Sequence, residues 1–286
     1  CMNPLIKITN LSKEYGRKKV VNNINLSIYA GQILGLVGPN GAGKTTCLQS
    51  ILGLIDCEGT IDVLGFDPRK QRQPMLEEVT YISDVAVLPK WLSVDQALDY
   101  MQGVHSRFDL DKAKSFLAKT NISPKAKVKS LSKGMVTQLH LALILAIDAK
   151  VLVLDEPTLG LDILTRREFY THLLEEFYTE EKCIIVTTHQ IEEIEHILTD
   201  VAFIQNGNLV LAENAEEIKE RFKLLSVTPE FVGQSESLSP LYANKMMGLT
   251  TMLFDGVKRE DIERLGDISS PSLADIFVGV MAKETY

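Results

Sequence analysis

The segment GPNGAGKTT places Gly38, Gly43, Lys44 and Thr45 in the G-x-x-x-x-G-K-[ST] spacing of a phosphate loop. Each residue type has a task in that pattern. Glycines let backbone N–H groups turn toward phosphate oxygens, Lys44 reaches the β and γ phosphates, and the Thr45 hydroxyl is placed to ligate Mg²⁺. A glycine-rich turn without a ligand is the plain alternative, but Lys-Thr directly after the second glycine favours a nucleotide. A second segment, VLVLDEPTLGLD, ends an apolar run in two adjacent acids, Asp155 and Glu156. Adjacent carboxylates can divide the work: Asp155 is expected to hold Mg²⁺ through its water shell, and Glu156 to polarise a water attacking the γ phosphate. A solvated acidic turn would look similar, although rarely straight after a buried strand. The run CIIVTTH closes on His189, which a strand's carboxyl end would bring toward a γ phosphate, whereas a lone His is more often structural. SLSKGM raises a different question, because Ser132 and Gly134 at a helix start offer a second anion site to a chain that already has one. An ordinary capped helix is the alternative there.

These residues need elements to hold them. Leu5 to Thr9 and Ile24 to Ile28 read as short strands, and Ile33 to Val37 reads as a buried strand running into the glycines. Thr45 to Leu54 is expected to be helical, so strand, phosphate loop and helix follow in order. Gly59 to Phe66 reads as another strand. From about Asp84 to Lys150 the pattern is helical, with one helix entered through SVDQ, where Ser93 and Gln96 have capping-box spacing. Val151 to Leu154 and Cys183 to Thr187 fit buried parallel strands on either side of a helix from Thr165 to Tyr178. After about Glu213 the patterning weakens and SESLSP reads as a loop. A last helix puts Leu273, Ile276, Phe277, Val280 and Met281 on one face behind a Ser272 cap.

Composition narrows the classes. The 286 residues are 45% hydrophobic and 24% charged, ordinary for a globular chain. A net charge of -8 argues against a general nucleic-acid surface, so no nucleic-acid partner is expected. The four cysteines, Cys1, Cys47, Cys57 and Cys183, show neither metal spacing nor a disulfide framework, which points to the cytosol. Cys1, ahead of Met2, reads as foreign to the native sequence. The longest apolar stretch, Leu141 to Ile147, is far short of the ~20 residues that span a bilayer.

Together the segments resemble the nucleotide-binding subunit of ATP-binding cassette (ABC) transporters, from about Leu5 to Glu213. Gly38, Pro39, Asn40, Gly41, Ala42, Gly43, Lys44, Thr45 and Thr46 match the Walker A segment, and Val151 to Glu156 matches Walker B with its catalytic glutamate. Leu161 and Asp162 match the D-loop, His189 the switch histidine, and Leu131 to Met135 the family signature, with Ser132 and Gly134 as its phosphate-facing residues. Tyr15 fits the aromatic that stacks on adenine, although beside Gly16 it could equally be a turn residue. Two positions depart from the pattern. Lys133 and Met135 replace residues of the commoner Leu-Ser-Gly-Gly-Gln, and Asp84 stands where the family usually has Gln. A carboxylate at Asp84 can still coordinate Mg²⁺ or water, at the cost of added charge beside a triphosphate.

The resemblance implies an α/β fold: a P-loop NTPase (RecA-like) core with an antiparallel β subdomain, an inserted helical subdomain and a small C-terminal extension. The corresponding segments are 2–83 and 151–213 for the core, 84–150 for the helical insert and 214–286 for the extension. It also implies ATP and Mg²⁺ as ligands, and a second copy of the cassette sharing two ATP. A separate transmembrane permease would complete the assembly, placing the chain in the cytoplasm against the inner face of the membrane. Lys-Gly-Met and PSLADIFVGV are similar to exporter cassettes. The permease is expected near Asp84 to Leu92, where Val85, Val87, Leu88 and Trp91 offer an apolar surface, local core packing being the alternative. A soluble ABC ATPase of an assembly, repair or translation complex is the competing reading. Repair and translation cassettes usually add a coiled coil or a second cassette, and neither a sustained heptad nor an internal repeat is present. A phosphate-loop kinase or GTPase would leave Leu131 to Gly134 unexplained.

Overall fold

A computed structural model describes residues 3–83, 88–246 and 248–283. Asp84, Val85 and Val87 lie outside the described residues. The chain forms two compact units, Cys1–Leu34 with Gly43–Thr187, and Gly35–Ala42 with Thr188–Tyr286.

In the first unit β1 (Ile6–Tyr15) and β2 (Lys18–Ile28) form an antiparallel hairpin turned by Gly16, and β3 (Ile33–Val37) begins beyond it. The glycine-rich loop then leads into α1 (Lys44–Ile51). β4 (Glu58–Val63) pairs with the other edge of β1, giving the order β2-β1-β4. Both hairpin strands are longer than the apolar residues alone imply. Asn10 and Asn23 take left-handed backbone at shifts in the ladder, so pairing continues past them into polar sequence. β4, by contrast, stops early, because Leu64 and Gly65 take positive φ and turn the chain.

After α2 (Arg72–Leu76) and β5 (Val79–Ile82) come three helices, α3 (Val94–Val104), α4 (Leu110–Ala118) and α5 (Lys133–Leu145). The expected capping box is present: Gln96 N–H donates to Ser93 Oγ at 3.2 Å and Ser93 N–H to Gln96 Oε1 at 2.9 Å. β6 (Val151–Asp155), α6 (Ile163–Phe177) and β7 (Cys183–Thr188) complete the order β5-β6-β7-β3, with β5, β6 and β7 parallel. Every residue of β6 and β7 is buried. Strands covered on both faces select unbroken apolar runs, which is why they read so clearly.

In the second unit the end of β3 is followed in the sheet by β8 (Asp200–Gln205) and β9 (Asn208–Asn214), an antiparallel hairpin closed by Asn206 and Gly207, both at positive φ. α7 (Ala215–Arg221) leads to a four-stranded antiparallel sheet that the patterning of the tail did not reveal. Its strands are β10 (Phe222–Val227), β11 (Tyr242–Met246), β12 (Leu249–Asp255) and β13 (Gly266–Ser269), in the order β11-β12-β10-β13. Leu225, Val227, Met252, Phe254, Ile262 and Leu265 form its core, with α8 (Val232–Glu236) and α9 (Arg259–Ile262) in the connections. The start of SESLSP is therefore helical rather than loop, since Ser235 and Glu236 close α8 and Ser235 is buried. α10 (Leu273–Lys283) is capped as expected, with Asp275 N–H donating to Ser272 Oγ at 3.0 Å, and Phe277 meets Phe203 edge-on at 5.2 Å. Among the described residues no helix is long and apolar enough to cross a membrane.

Candidate functional site

The phosphate loop is shaped by what surrounds its glycines. Gly38 N–H donates to Thr188 O at 3.3 Å, and a Cβ at Gly38 would lie 2.3 Å from Ile204 O, so no larger residue fits. Ala42 N–H closes onto Pro39 O at 3.1 Å while Gly207 N–H donates to Ala42 O at 2.9 Å. Gly41 and Gly43 have φ of 80° and 108°, the left-handed region that glycine enters without penalty. Pro39, Asn40 and Gly41 are exposed.

Gly43 is the N-cap of α1 and offers no side chain to the first-turn amides. The contrast with α3 to α7 is informative, because Ser93, Asp109, Ser132, Asp162 and Asn214 each accept a hydrogen bond from their own helix. An uncapped start with Lys44 as its first residue is a natural seat for phosphate. Thr45 is exposed there and Thr46 half-buried.

Lys44 is buried, and its Nζ lies 3.5 Å from Glu156 Oε1. Burial pushes the Lys44 pKa down, opposed by the charges of Glu156 and Asp155 and by its hydrogen bond to Glu156. β6 delivers both acids: Asp155 ends the strand, and Glu156 follows it at φ 47°, a strained backbone for a residue with a Cβ. Thr187, fully buried on neighbouring β7, organises the pair. Its Oγ1 donates to Asp155 Oδ1 at 2.5 Å and accepts from Glu156 N–H at 3.0 Å. Thr187 has no motif to mark it in the sequence, being a Thr inside an apolar strand. Asp155 Oδ2 is buried with no hydrogen-bond partner. A buried, unsatisfied carboxylate oxygen is costly unless something cationic or protic reaches it, which fits a hydrated Mg²⁺ with Thr45 as a further ligand.

The remaining candidates sit as follows. Ser132 caps α5 by accepting from Met135 N–H at 3.2 Å, and Gly134, the second residue of the helix, faces Thr165. A hydroxyl that accepts one bond keeps its own O–H to donate. Asp162 caps α6 through Thr165 N–H at 3.0 Å and Thr165 Oγ1 at 2.8 Å, and these bonds hold its carboxyl below the usual range. Ile163 and Leu164 beside it are 74% and 73% exposed, a conspicuous apolar pair on the surface. His189 follows β7 directly and is half-buried. Tyr15 ends β1 with half its surface exposed and Lys13 Nζ 5.0 Å above its ring. Trp91 is 68% exposed, so it does not pack in the core. Asp84 falls outside the described residues.

Residues 21–159 match the protein family described as ABC transporter. The chain is 33% identical over 224 residues to the lantibiotic transport ATP-binding protein SrtF of Streptococcus pyogenes, covering 75% of this chain and 95% of that protein. It is 35% identical over 223 residues to the Nod factor export ATP-binding protein I of Burkholderia orbicola, covering 73% and 70% respectively. Among solved structures, an ATP binding subunit of an ABC transporter superimposes with a TM-score of 0.69 at 21% identity, over 76% of this chain and 92% of that one. Likeness at that identity bears on the fold alone.

Proposed function

Since the chain belongs to the ATP-binding proteins of ABC transporters, a family of ATPases that drive transport, we propose that it hydrolyses ATP between two copies of itself to move a separate membrane permease, in export. The observation that carries the chemistry is the buried group of Lys44, Asp155, Glu156 and Thr187. Residues Gly38 to Thr46 cradle the phosphates, Lys44 faces the β and γ phosphates, and Tyr15 stacks on adenine. Asp155 and Thr45 hold Mg²⁺, which supplies charge neutralisation on the phosphate oxygens. Glu156 takes a proton from water as the water oxygen bonds to the γ phosphorus and the bond to the bridging oxygen breaks. The products are ADP and phosphate. His189 contacts the γ phosphate and polarises it. A relative whose name refers to Nod factor export supports the direction.

The second copy answers the question raised by Ser132. A helix start facing the chain's own nucleotide would duplicate α1, so Ser132 and Gly134 receive the γ phosphate of ATP bound on the partner, with Asp162 at the same interface. ATP then joins the copies and hydrolysis separates them. The Glu156→Gln protein is expected to dimerise with ATP and magnesium in light scattering. Adding Ser132→Arg should leave ATP bound to monomers. Equal dimerisation of the double variant would reduce the signature to a helix cap.

The permease docks beside Trp91. An exposed Trp near the start of α3, with Tyr100 also 64% exposed, supports an interface over core packing. Trp91→Ala is expected to keep its Tm and its basal ATPase activity but to lose co-purification with its membrane subunit. Retained co-purification would sink the assignment.

A further inference from the structure

Lys133, the third residue of the signature segment, reaches away from the helix that carries it. Its Nζ donates to Leu159 O at 2.7 Å, tying the start of α5 to the turn that leaves Glu156. That turn is short and closed on itself, with Leu159 N–H donating to Glu156 O at 3.1 Å and Leu161 N–H to Thr158 O at 3.0 Å. The next residue, Gly160, has φ 73°, and a Cβ there would lie 2.3 Å from Lys133 Nζ. The ammonium therefore rests against a bare Cα that no other residue would leave open. Behind the tie lies a cavity of about 220 Å³ whose walls include Lys133, Thr137, His140, Glu156, Leu159 and Phe169.

We propose that Lys133 is a positioning residue for Glu156. A strained backbone persists only where its surroundings over-determine it. Glu156 is held on its N-terminal side by Thr187, through its own N–H. On the C-terminal side the turn through Leu159 carries the constraint, and Lys133 anchors that turn directly at the Leu159 carbonyl. An ammonium-to-carbonyl bond is stronger than a neutral one, and no protein side chain replaces the amine if it is removed, so the turn is then free to relax. A glycine at this position, the commoner residue of the signature, has nothing to reach with. The role in turnover rests on Glu156 being the base, whereas the tie itself does not.

Lys133→Met in the full chain separates the two. We expect kcat to fall about fivefold with KM unchanged, because the loss is in placing the base and not in binding nucleotide. Hydrogen exchange of the amides in 157–161 should accelerate without nucleotide, and Lys133→Arg should recover most of both. Should Lys133→Met fail to fold, Lys133→Gly, which restores the commoner residue of the signature and removes the amine, is expected to lower kcat and loosen the same amides. Exchange in 157–161 left unchanged overturns the tie. Faster exchange with unchanged kcat overturns the positioning role. If Glu156→Gln turned over normally, the base assignment would fall while the exchange result still judged the tie.

Discussion

Glu156→Gln is expected to cut steady-state ATP hydrolysis by about 10²–10⁴-fold, the range attributed to a positioned general base, while ATP still binds. The substitution keeps the shape of the side chain and its backbone bonds to Thr187, so the strained turn is not asked to rearrange. What disappears is the carboxylate that faces Lys44 at 3.5 Å. Losing it also removes a negative charge from a pocket meant for a triphosphate, so nucleotide affinity should hold or rise. Glu156→Asp serves as the control that keeps the charge and shortens its reach. A Glu156→Gln protein turning over ATP within tenfold of the unaltered chain would refute the assignment.

Lys44→Ala should act on the other half of the same pair, weakening ATP binding by about 1.5–3 kcal/mol, or roughly 10-fold to 150-fold, through loss of a charge-assisted phosphate contact. Isothermal calorimetry in the Glu156→Gln background reads this without turnover. That background also sorts binding from stability. In the otherwise unaltered chain Lys44→Ala strands Glu156 beside a vacated, buried position, so Tm should fall with affinity. In the double variant neither charge is present. Its Tm should then recover while its affinity stays low. Unchanged affinity in that double variant would count against Lys44 as a phosphate ligand.

The candidate site is legible in sequence wherever its residues are close neighbours along the chain. The phosphate loop, the adjacent Asp155 and Glu156 and the capping box at Ser93 all satisfy short-range rules, and the structure gives them the local conformations those rules require. What escaped is long-range. Thr187 touches both acids from a parallel strand, and its only sequence signal is a polar residue in an apolar run. Lys133 meets Leu159 across a turn whose position depends on two helices and a strand. The four-stranded sheet of the tail escaped for another reason: β11 is an edge strand, nearly all exposed, and lacks the alternation that marks a strand with one buried face. Bulges hid the reach of β1 and β2, because a shift in the ladder breaks the period-two pattern without ending the pairing.

The left-handed backbone at Glu156 sets stability and activity against each other at one residue. Glycine would occupy that conformation without strain, and with Lys44 neutralised alongside it no buried charge would be left unpaired, so the molecule would gain robustness by discarding its base and that base's partner together. Any selection for yield, heat tolerance or shelf life that ignores turnover is free to discard this pair. Stabilising this chain by consensus or by screening therefore calls for a catalytic readout from the first round, with the margin sought in the tail sheet or the hairpins, away from the β6 terminus.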